Sequence, residues 1–319
     1  MATSSANSAS RPGMKMILGG VFAMGSTRFY AEEAPVRQVR VAPFLVDEVP
    51  VTNTEFAQFI AATGYITLAE IAPTEQDYPG LLPDMAIAGS TVFDPTQPSV
   101  DMRNPASWWT FRQGADWRHP LGPGSDIHQL GEHPVVHVAY ADALAYAQWA
   151  GKALPTEAQW EYAARGGIDG AEYAWGDELA PNGAMMANYW QGQFPFTNTL
   201  LDGWERTSPV RSYVANGHGL FDVIGNVWEW TRDWWSLPAN SVVALSCCGV
   251  EVNPRGGVEH ASHAVGFGDQ VSRKVIKGGS HLCALNYCRR YRPAARHPQA
   301  IDSPTCHIGF RCVVNFDLD

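Results

Sequence analysis

Apolar positions along this 319-residue chain recur at helical spacing in only two regions; elsewhere they form short runs between glycines and prolines. The first helix is predicted after Thr52. Thr52-Asn-Thr-Glu55 has the form of a capping box, Phe56, Phe59 and Ile60 share one face, and Gly64 closes the helix. The second region predicts a helix pair. Residues 142–149 carry Leu144, Ala145, Ala147 and Trp149 and stop at Gly151. Thr156 then caps a second helix with Gln159 at its third position, and Trp160, Ala163 and Ala164 lead to a stop at Gly166-Gly167. Strand-like runs are short: 39–44, 134–138, 274–277 and 309–314. Residues 168–272 show no sustained period, which counts against a simple layered fold. Such a stretch must be held by something other than regular ladders, and bound ions are a natural candidate. No repeat or linker divides the chain. The reading is a disordered tail over residues 1–17 and one domain over 18–319.

Composition narrows the function classes. Charged residues make up 17% of the chain, against roughly 25% in ordinary soluble domains, and the net charge is −10 without any Lys/Arg cluster. That balance argues against a nucleic-acid or anionic-membrane partner. No run of 18 apolar residues is present, so no spanning helix is expected, and the N-terminus lacks the apolar core of a secretory signal. All twelve Trp lie between Trp108 and Trp235. They read either as rigid filler for a loop-heavy core or as a substrate-binding wall.

Candidate chemistry lies in the cysteines and in two acidic loops. The six cysteines are Cys247, Cys248, Cys283, Cys288, Cys306 and Cys312, and they form no disulfide framework in a chain of this length. Cys283-Ala-Leu-Asn-Tyr-Cys288 is compatible with a disulfide, two buried thiols, half of a zinc site with His281 or His307, or a redox or metal site. Two thiolates without further soft donors suit Cu(I). Arg289, Arg290 and Arg292 follow the pair, either to favour thiolate or simply as a solvated basic loop. Asp222 and Glu229, with the carbonyls of Gly225 and Val227 between them, offer the hard oxygen donors that Ca2+ takes, and Asn188 with Asp202 could frame a second site. Ordinary Asx turns in Gly-rich loops account for the same residues. His260 and His263 read as a solvated loop before a metal pair.

A series of blocks then carries a resemblance. Gly19-Gly20-Val-Phe22-Ala-Met24-Gly25, Pro50-Val-Thr52-Asn53, His133-Pro134-Val-Val-His137-Val and Trp149-Ala-Gly151-Lys-Ala-Leu154-Pro155-Thr156-Glu157-Ala-Gln-Trp160-Glu161 come first. Asn188-Tyr-Trp190-Gln191-Gly192, Gly225-Asn226-Val-Trp228-Glu229-Trp230, Gly278-Gly279-Ser280 and Gly309-Phe310-Arg311-Cys312 follow in order. Together they resemble the sulfatase-modifying-factor family of formylglycine-generating enzymes, bacterial type, over nearly the whole chain. The resemblance implies an α+β, irregular C-type-lectin-like fold with little regular secondary structure and two structural Ca2+ ions. It implies Cu(I)- and O2-dependent oxidation of a cysteine in a Cys-x-Pro-x-Arg segment of an unfolded sulfatase to Cα-formylglycine. Cys283 and Cys288 match the copper pair, Ser280 the active-site serine and Trp228 a substrate-lining tryptophan. Asn188, Tyr189 (carbonyl), Asp202 and Trp204 (carbonyl) match one calcium site; Asp222, Gly225, Val227 and Glu229 match the other.

Departures from the family are specific. Ala284 stands where the family often has His, and Ala147, Ala164 and Pro293 occupy disulfide positions of secreted relatives. Cys312 keeps no such partner, and Cys247-Cys248 lies outside the shared motifs. A monomer in a reducing bacterial cytoplasm is the expected setting. The alternative to an oxidase is a catalytically silent peptide- or ligand-binding module on the same scaffold. Retention of Ser280, Cys283 and Cys288 together favours the enzyme.

Overall fold

The structure, a computed structural model, describes residues 11–82, 86–95, 101, 103–237, 249–263 and 271–316. Cys247 and Cys248 lie outside the described residues, as does most of the expected tail. Three α-helices are present among the described residues: α1 Asn53–Thr63, α2 Tyr140–Trp149 and α3 Glu157–Arg165. Capping fixes their starts. Thr52 Oγ1 accepts the Glu55 N–H at 3.2 Å while the Glu55 carboxylate accepts the Thr52 N–H at 2.9 Å, and Gly64 ends α1 at φ 66°. Thr156 and Gln159 do the same for α3. Helix α2 starts two residues before the predicted Asp142, because that carboxylate reaches back to the Ala139 N–H at 2.8 Å and so acts from inside the first turn.

Among the described residues, twelve short strands make four small sheets. In the first, β1 Met14–Ile17 and β12 Val313–Asn315 flank β4 Phe44–Asp47. This corrects the expected tail over residues 1–17: Met14 and Ile17 are buried, and β1 pairs antiparallel with β4 with Met14 opposite Asp47. In the second, β2 Gly20–Met24 and β8 Glu251–Val252 flank β3 Arg37–Val41, and β5 Gly89–Phe93 with β6 Trp109–Gln113 forms a separate ribbon. The largest sheet has the order β10 Arg296–Ala300, β9 Arg273–Lys277, β7 Trp228–Trp234, β11 Ile308–Gly309. Two apolar runs expected as single strands are therefore split between sheets. The run 39–44 divides into β3 and β4, and 309–314 divides into β11 and β12. The run 134–138 forms no strand: Pro134 makes one isolated bridge with Thr52, and His137 takes φ 59°.

Strand β7 runs through the middle of the segment that shows no period. Both its faces are buried, and it carries Glu229 and Asp233 inward, so the alternation that marks a half-solvated strand is missing. Helix α3 lies against β9, β7, β3 and β2 and brings Trp160 and two carboxylates to the buried sheet. Lys277, fully buried at the end of β9, meets Glu161 at 3.0 Å and Glu157 at 3.6 Å, while Arg296 on β10 grips Glu157 through two bonds of 2.7 and 2.9 Å. These charges fix the root of the β9–β10 hairpin. Among the described residues no helix is long and apolar enough to cross a membrane.

Candidate active site

The β9–β10 connection, residues 278–295, carries the cysteine pair. Gly278 and Gly279 open it at φ 92° and 72°, and a Cβ on Gly279 would lie 2.8 Å from the carbonyl of Arg290. Only glycine lets the two arms of the loop approach this closely. After the turn, the Cys283 N–H bonds the Ser280 carbonyl at 2.9 Å and the Cys288 N–H bonds the Ala284 carbonyl at 2.9 Å. These two tight turns bring the sulfurs of Cys283 and Cys288 to 3.1 Å.

Both thiols are free, and 3.1 Å is a sulfur–sulfur hydrogen bond rather than the ~2.0 Å of a disulfide. Cys283 is 2% exposed and Cys288 partly so. Burial pushes the Cys283 thiol up, whereas the hydrogen bond from Cys283 and the charge of Arg290 draw Cys288 down to about 7. Of the two, Cys288 is the thiol that the surroundings favour as thiolate, with Cys283 Sγ 3.1 Å away to share the proton. Two soft donors, one with its thiol drawn toward the thiolate form, fit a monovalent thiophilic cation such as Cu(I). The zinc alternative does not assemble. Among the described residues no three His, Cys, Asp or Glu side chains gather as a metal site. His307 bonds Thr305 through Nδ1, and His281 Nδ1 bonds the Asn226 carbonyl at 2.8 Å.

The surroundings are largely dry. Ser280 is buried, and its Oγ accepts the Leu282 N–H at 3.2 Å. The Cys283 carbonyl accepts the Trp190 N–H at 3.0 Å, tying the loop to a cluster of Phe93, Trp108, Trp190, Phe194 and Cys306. Tyr287 stacks on Phe194 at 4.7 Å while Leu285 beside it stands in solvent. Ala284, fully buried in that cluster, fills the place where the family often has His. Trp228 is 3% exposed in the main core with its ring 5.8 Å from that of His297, so it presents no open face in this structure.

The basic run after the pair is not a solvated loop. Phe29-Tyr30-Ala31-Glu32-Glu33, some 250 residues away in sequence, lies across it. Tyr30 OH accepts the Arg289 N–H at 2.9 Å, Glu32 pairs with Arg290 at 2.6 Å, and Glu33 pairs with the buried Arg292. The guanidinium of Arg290 lies 3.8 Å above the Tyr30 ring and donates to Cys288 Sγ at 3.9 Å. Sequence reasoning missed this strap. Its only signal is the match between an aromatic-acidic run and a distant basic-aromatic run.

The two acidic loops meet the cysteine loop at Asn226. Its carbonyl accepts both the N–H and Nδ1 of His281, its N–H bonds the Asn188 carbonyl at 2.8 Å, and its side chain bonds Ser208. In the first loop the Tyr189 carbonyl and the Asp202 carboxylate converge on one point, the amide nitrogen of Gln191. Asp202 also accepts the Trp204 N–H at 3.0 Å, and Asn188 donates to the Arg206 carbonyl. Burial raises the Asp202 carboxyl. In the second loop Asp222 Oδ1 is buried without a partner, and burial pushes that carboxyl up to about 6. Glu229 accepts from Trp160 Nε1 at 2.7 Å and from Arg311 at 2.7 and 2.8 Å. That takes three of about four lone-pair positions and leaves one. An oxygen-seeking divalent cation would meet the convergent oxygens of the first loop and the orphaned Asp222 oxygen of the second, next to Gly225 and Val227. His260 and His263 stay apart from all of this, with His263 on Ser272.

Comparison with known proteins agrees with this architecture. Residues 1–316 match the family described as sulfatase-modifying factor enzyme 1-like domain. The chain is 52% identical over 298 residues to the formylglycine-generating enzyme of Mycobacterium tuberculosis, covering 93% of this chain and 96% of that protein. It is also 41% identical over 311 residues to the inactive C-alpha-formylglycine-generating enzyme 2 of Bos taurus, covering 94% and 87%. PvdO from Pseudomonas aeruginosa shares the fold with a TM-score of 0.62 at 22% identity, over 97% of this chain and all of that one. The fold is α+β and lectin-like, as expected, and the chain belongs to the sulfatase-modifying factor enzyme 1-like family.

Proposed function

We propose that the chain is a formylglycine-generating enzyme, oxidising a cysteine in a Cys-x-Pro-x-Arg segment of an unfolded sulfatase to Cα-formylglycine with Cu(I) and O2. The observation that carries this reading is the pair of free thiols 3.1 Å apart, with the Arg290 guanidinium 3.9 Å from Cys288 Sγ. Cys283 and Cys288 would hold Cu(I), which supplies one-electron chemistry with O2 when bound. The protein's own residues do the rest. The turns at Ser280 and Ala284 fix the two sulfurs, and the Phe93–Trp108–Trp190–Phe194 cluster excludes water behind them. Ser280, three residues before Cys283, stands in the same tight turn, and Leu285 and Tyr287 form the exposed lip of the loop. A substrate cysteine entering there loses its thiol proton and one Cβ hydrogen and becomes a thioaldehyde, which water converts to the aldehyde and hydrogen sulfide. O2 takes four electrons to become two waters, two from the substrate and two from a thiol reductant.

Ca2+ in the two acidic loops would act structurally, pinning the irregular residues that support Asn226 and hence His281 and Cys283. A monomer in a reducing bacterial cytoplasm fits the buried, unpaired thiols of Cys306 and Cys312. The second reading, a silent binding module, is favoured by the likeness to an inactive bovine relative. Mass spectrometry of a Cys-x-Pro-x-Arg peptide incubated with copper-loaded protein, O2 and a thiol reductant separates the two. The expected product carries an aldehyde in place of the thiol; an unchanged peptide removes the oxidase reading.

A further inference from the structure

The copper pair of the preceding section has a charge problem that the strap resolves. Two thiolates and one monovalent cation make a unit of net charge −1. Cys283 is 2% exposed, and an uncompensated charge at that depth is costly. The counter-charge must come from the protein. Arg289, the first basic residue after the pair, is spent elsewhere: it bonds Glu172 at 2.6 Å and Tyr173 OH at 3.0 Å. Arg292 is spent on Glu33 and on the Arg289 carbonyl.

Arg290 alone among the three reaches sulfur, through Nη1 at 3.9 Å from Cys288 Sγ. Its Nε, like that of Arg289, is buried and has no hydrogen-bond partner, but only Arg290 has its guanidinium at the sulfur. Tyr30 sits under its face at 3.8 Å and Glu32 holds its other edge at 2.6 Å. The fork is therefore aimed by residues far outside the cysteine loop and cannot swing into solvent. A lysine would carry the same charge without the planar fit to Tyr30.

We propose that Arg290, aimed by Tyr30 and Glu32, is a positioning residue that supplies the counter-charge for a thiolate-bound Cu(I) at Cys283 and Cys288. This rests on the copper reading above, and Glu32 is a competitor as well as a guide, since its carboxylate shares the guanidinium with the sulfur.

The test is Cu(I) affinity, measured anaerobically by competition with a colorimetric Cu(I) chelator, without turnover. Wild-type protein that fails to take Cu(I) from the chelator overturns the copper reading itself. Given wild-type binding, Arg290→Met is expected to weaken affinity by about tenfold or more, the loss that follows removal of a hydrogen bond from a charged donor. Arg290→Lys should recover most of it. Arg289→Met, one residue closer to the pair, should stay within about twofold, because its charge is already paired with Glu172. Glu32→Gln approaches from the other side and serves if Arg290→Met does not fold. It keeps an acceptor oxygen for Arg290 but removes the competing charge, so affinity should rise. Equal weakening by Arg289→Met and Arg290→Met, an unchanged affinity in Arg290→Met, or a weaker one in Glu32→Gln overturns the assignment.

Discussion

The β9–β10 hairpin has a root and a tip, and both are crowded with cations, buried at the root and, except for Arg292, half-buried at the tip. At the root, Lys277 and Arg296 face Glu157 and Glu161, and Arg165 adds a bond of 2.7 Å to Glu161. Each of these cations meets a carboxylate of the same permanence. At the tip, Arg289 and Arg292 are likewise matched to Glu172 and Glu33, but Arg290 is divided between Glu32 and a sulfur that is anionic only as thiolate. Closed charge pairs hold a scaffold; a pair with one conditional partner is open to chemistry. The same two strands thus carry rigidity at one end and reactivity at the other.

The sharpest separation comes from Cys288→Ser. Oxygen for sulfur keeps the size and the turn, including the Cys288 N–H to the Ala284 carbonyl at 2.9 Å, which is a main-chain bond. It removes the soft ligand. Formylglycine production is expected to fall below detection, while thermal unfolding stays within about 2 °C of wild type, as for a partly exposed polar change. An active serine variant breaks the assignment of the tip as the reactive end. Glu161→Ala tests the root. It strands Arg165 in a buried site and leaves Lys277 only Glu157 at 3.6 Å, which should cost on the order of 3–5 kcal/mol by urea unfolding. The folded fraction should keep wild-type Cu(I) affinity, and a parallel loss of affinity would merge the two ends into one unit.

Legibility in the sequence follows the same division between local and distant. Helices α1 and α3 were readable from Thr52-Glu55 and Thr156-Gln159, because capping is decided within four residues. The spacing of Cys283 and Cys288 left a disulfide, buried thiols and half a zinc site open, and only the family resemblance singled the pair out, whereas strand β9 was readable from its apolar run. Strand β7 was not, because its inward Glu229 and Asp233 look like solvent-facing residues until Arg311 and the N-terminus of α3 are brought to them. The strap was hidden for the same reason: Tyr30 and Glu32 gain meaning only against Arg289 and Arg290. The chain from 14 to 17 was misread as tail because four residues carry too little pattern to announce an edge strand, and only β4 supplies the partner.

The smallest expected effect is a slope rather than a loss, and it sharpens the account of the root. Two carboxyls there move in opposite directions. Burial alone would raise Glu161, but Lys277 and Arg165 outweigh it and hold its carboxyl at about 2, below the ordinary 4.5. Burial and the nearby charge of Glu157 push Asp233 up to about 6, above the ordinary 3.8, since the groups bonded to it are the N–H groups of Glu157 and Gly256 rather than a cation. The signs follow from which state holds the proton more tightly. The stability contributed by Glu161 is complete above about pH 4.5 and is lost as pH falls toward 2. That contributed by Asp233 is complete below about pH 3.8 and is lost as pH rises through 6. Urea midpoints at pH 3, 5 and 7 should show Asp233→Asn removing a fall in stability that is shared between the 3-to-5 and 5-to-7 arms. Glu161→Gln should flatten the acid arm and leave the other. If Glu161→Gln also changes the 5-to-7 arm, or Asp233→Asn leaves that arm as in wild type, the root is one coupled cluster rather than a cation-rich side and a cation-poor side, and its contrast with the tip loses its basis in pairing.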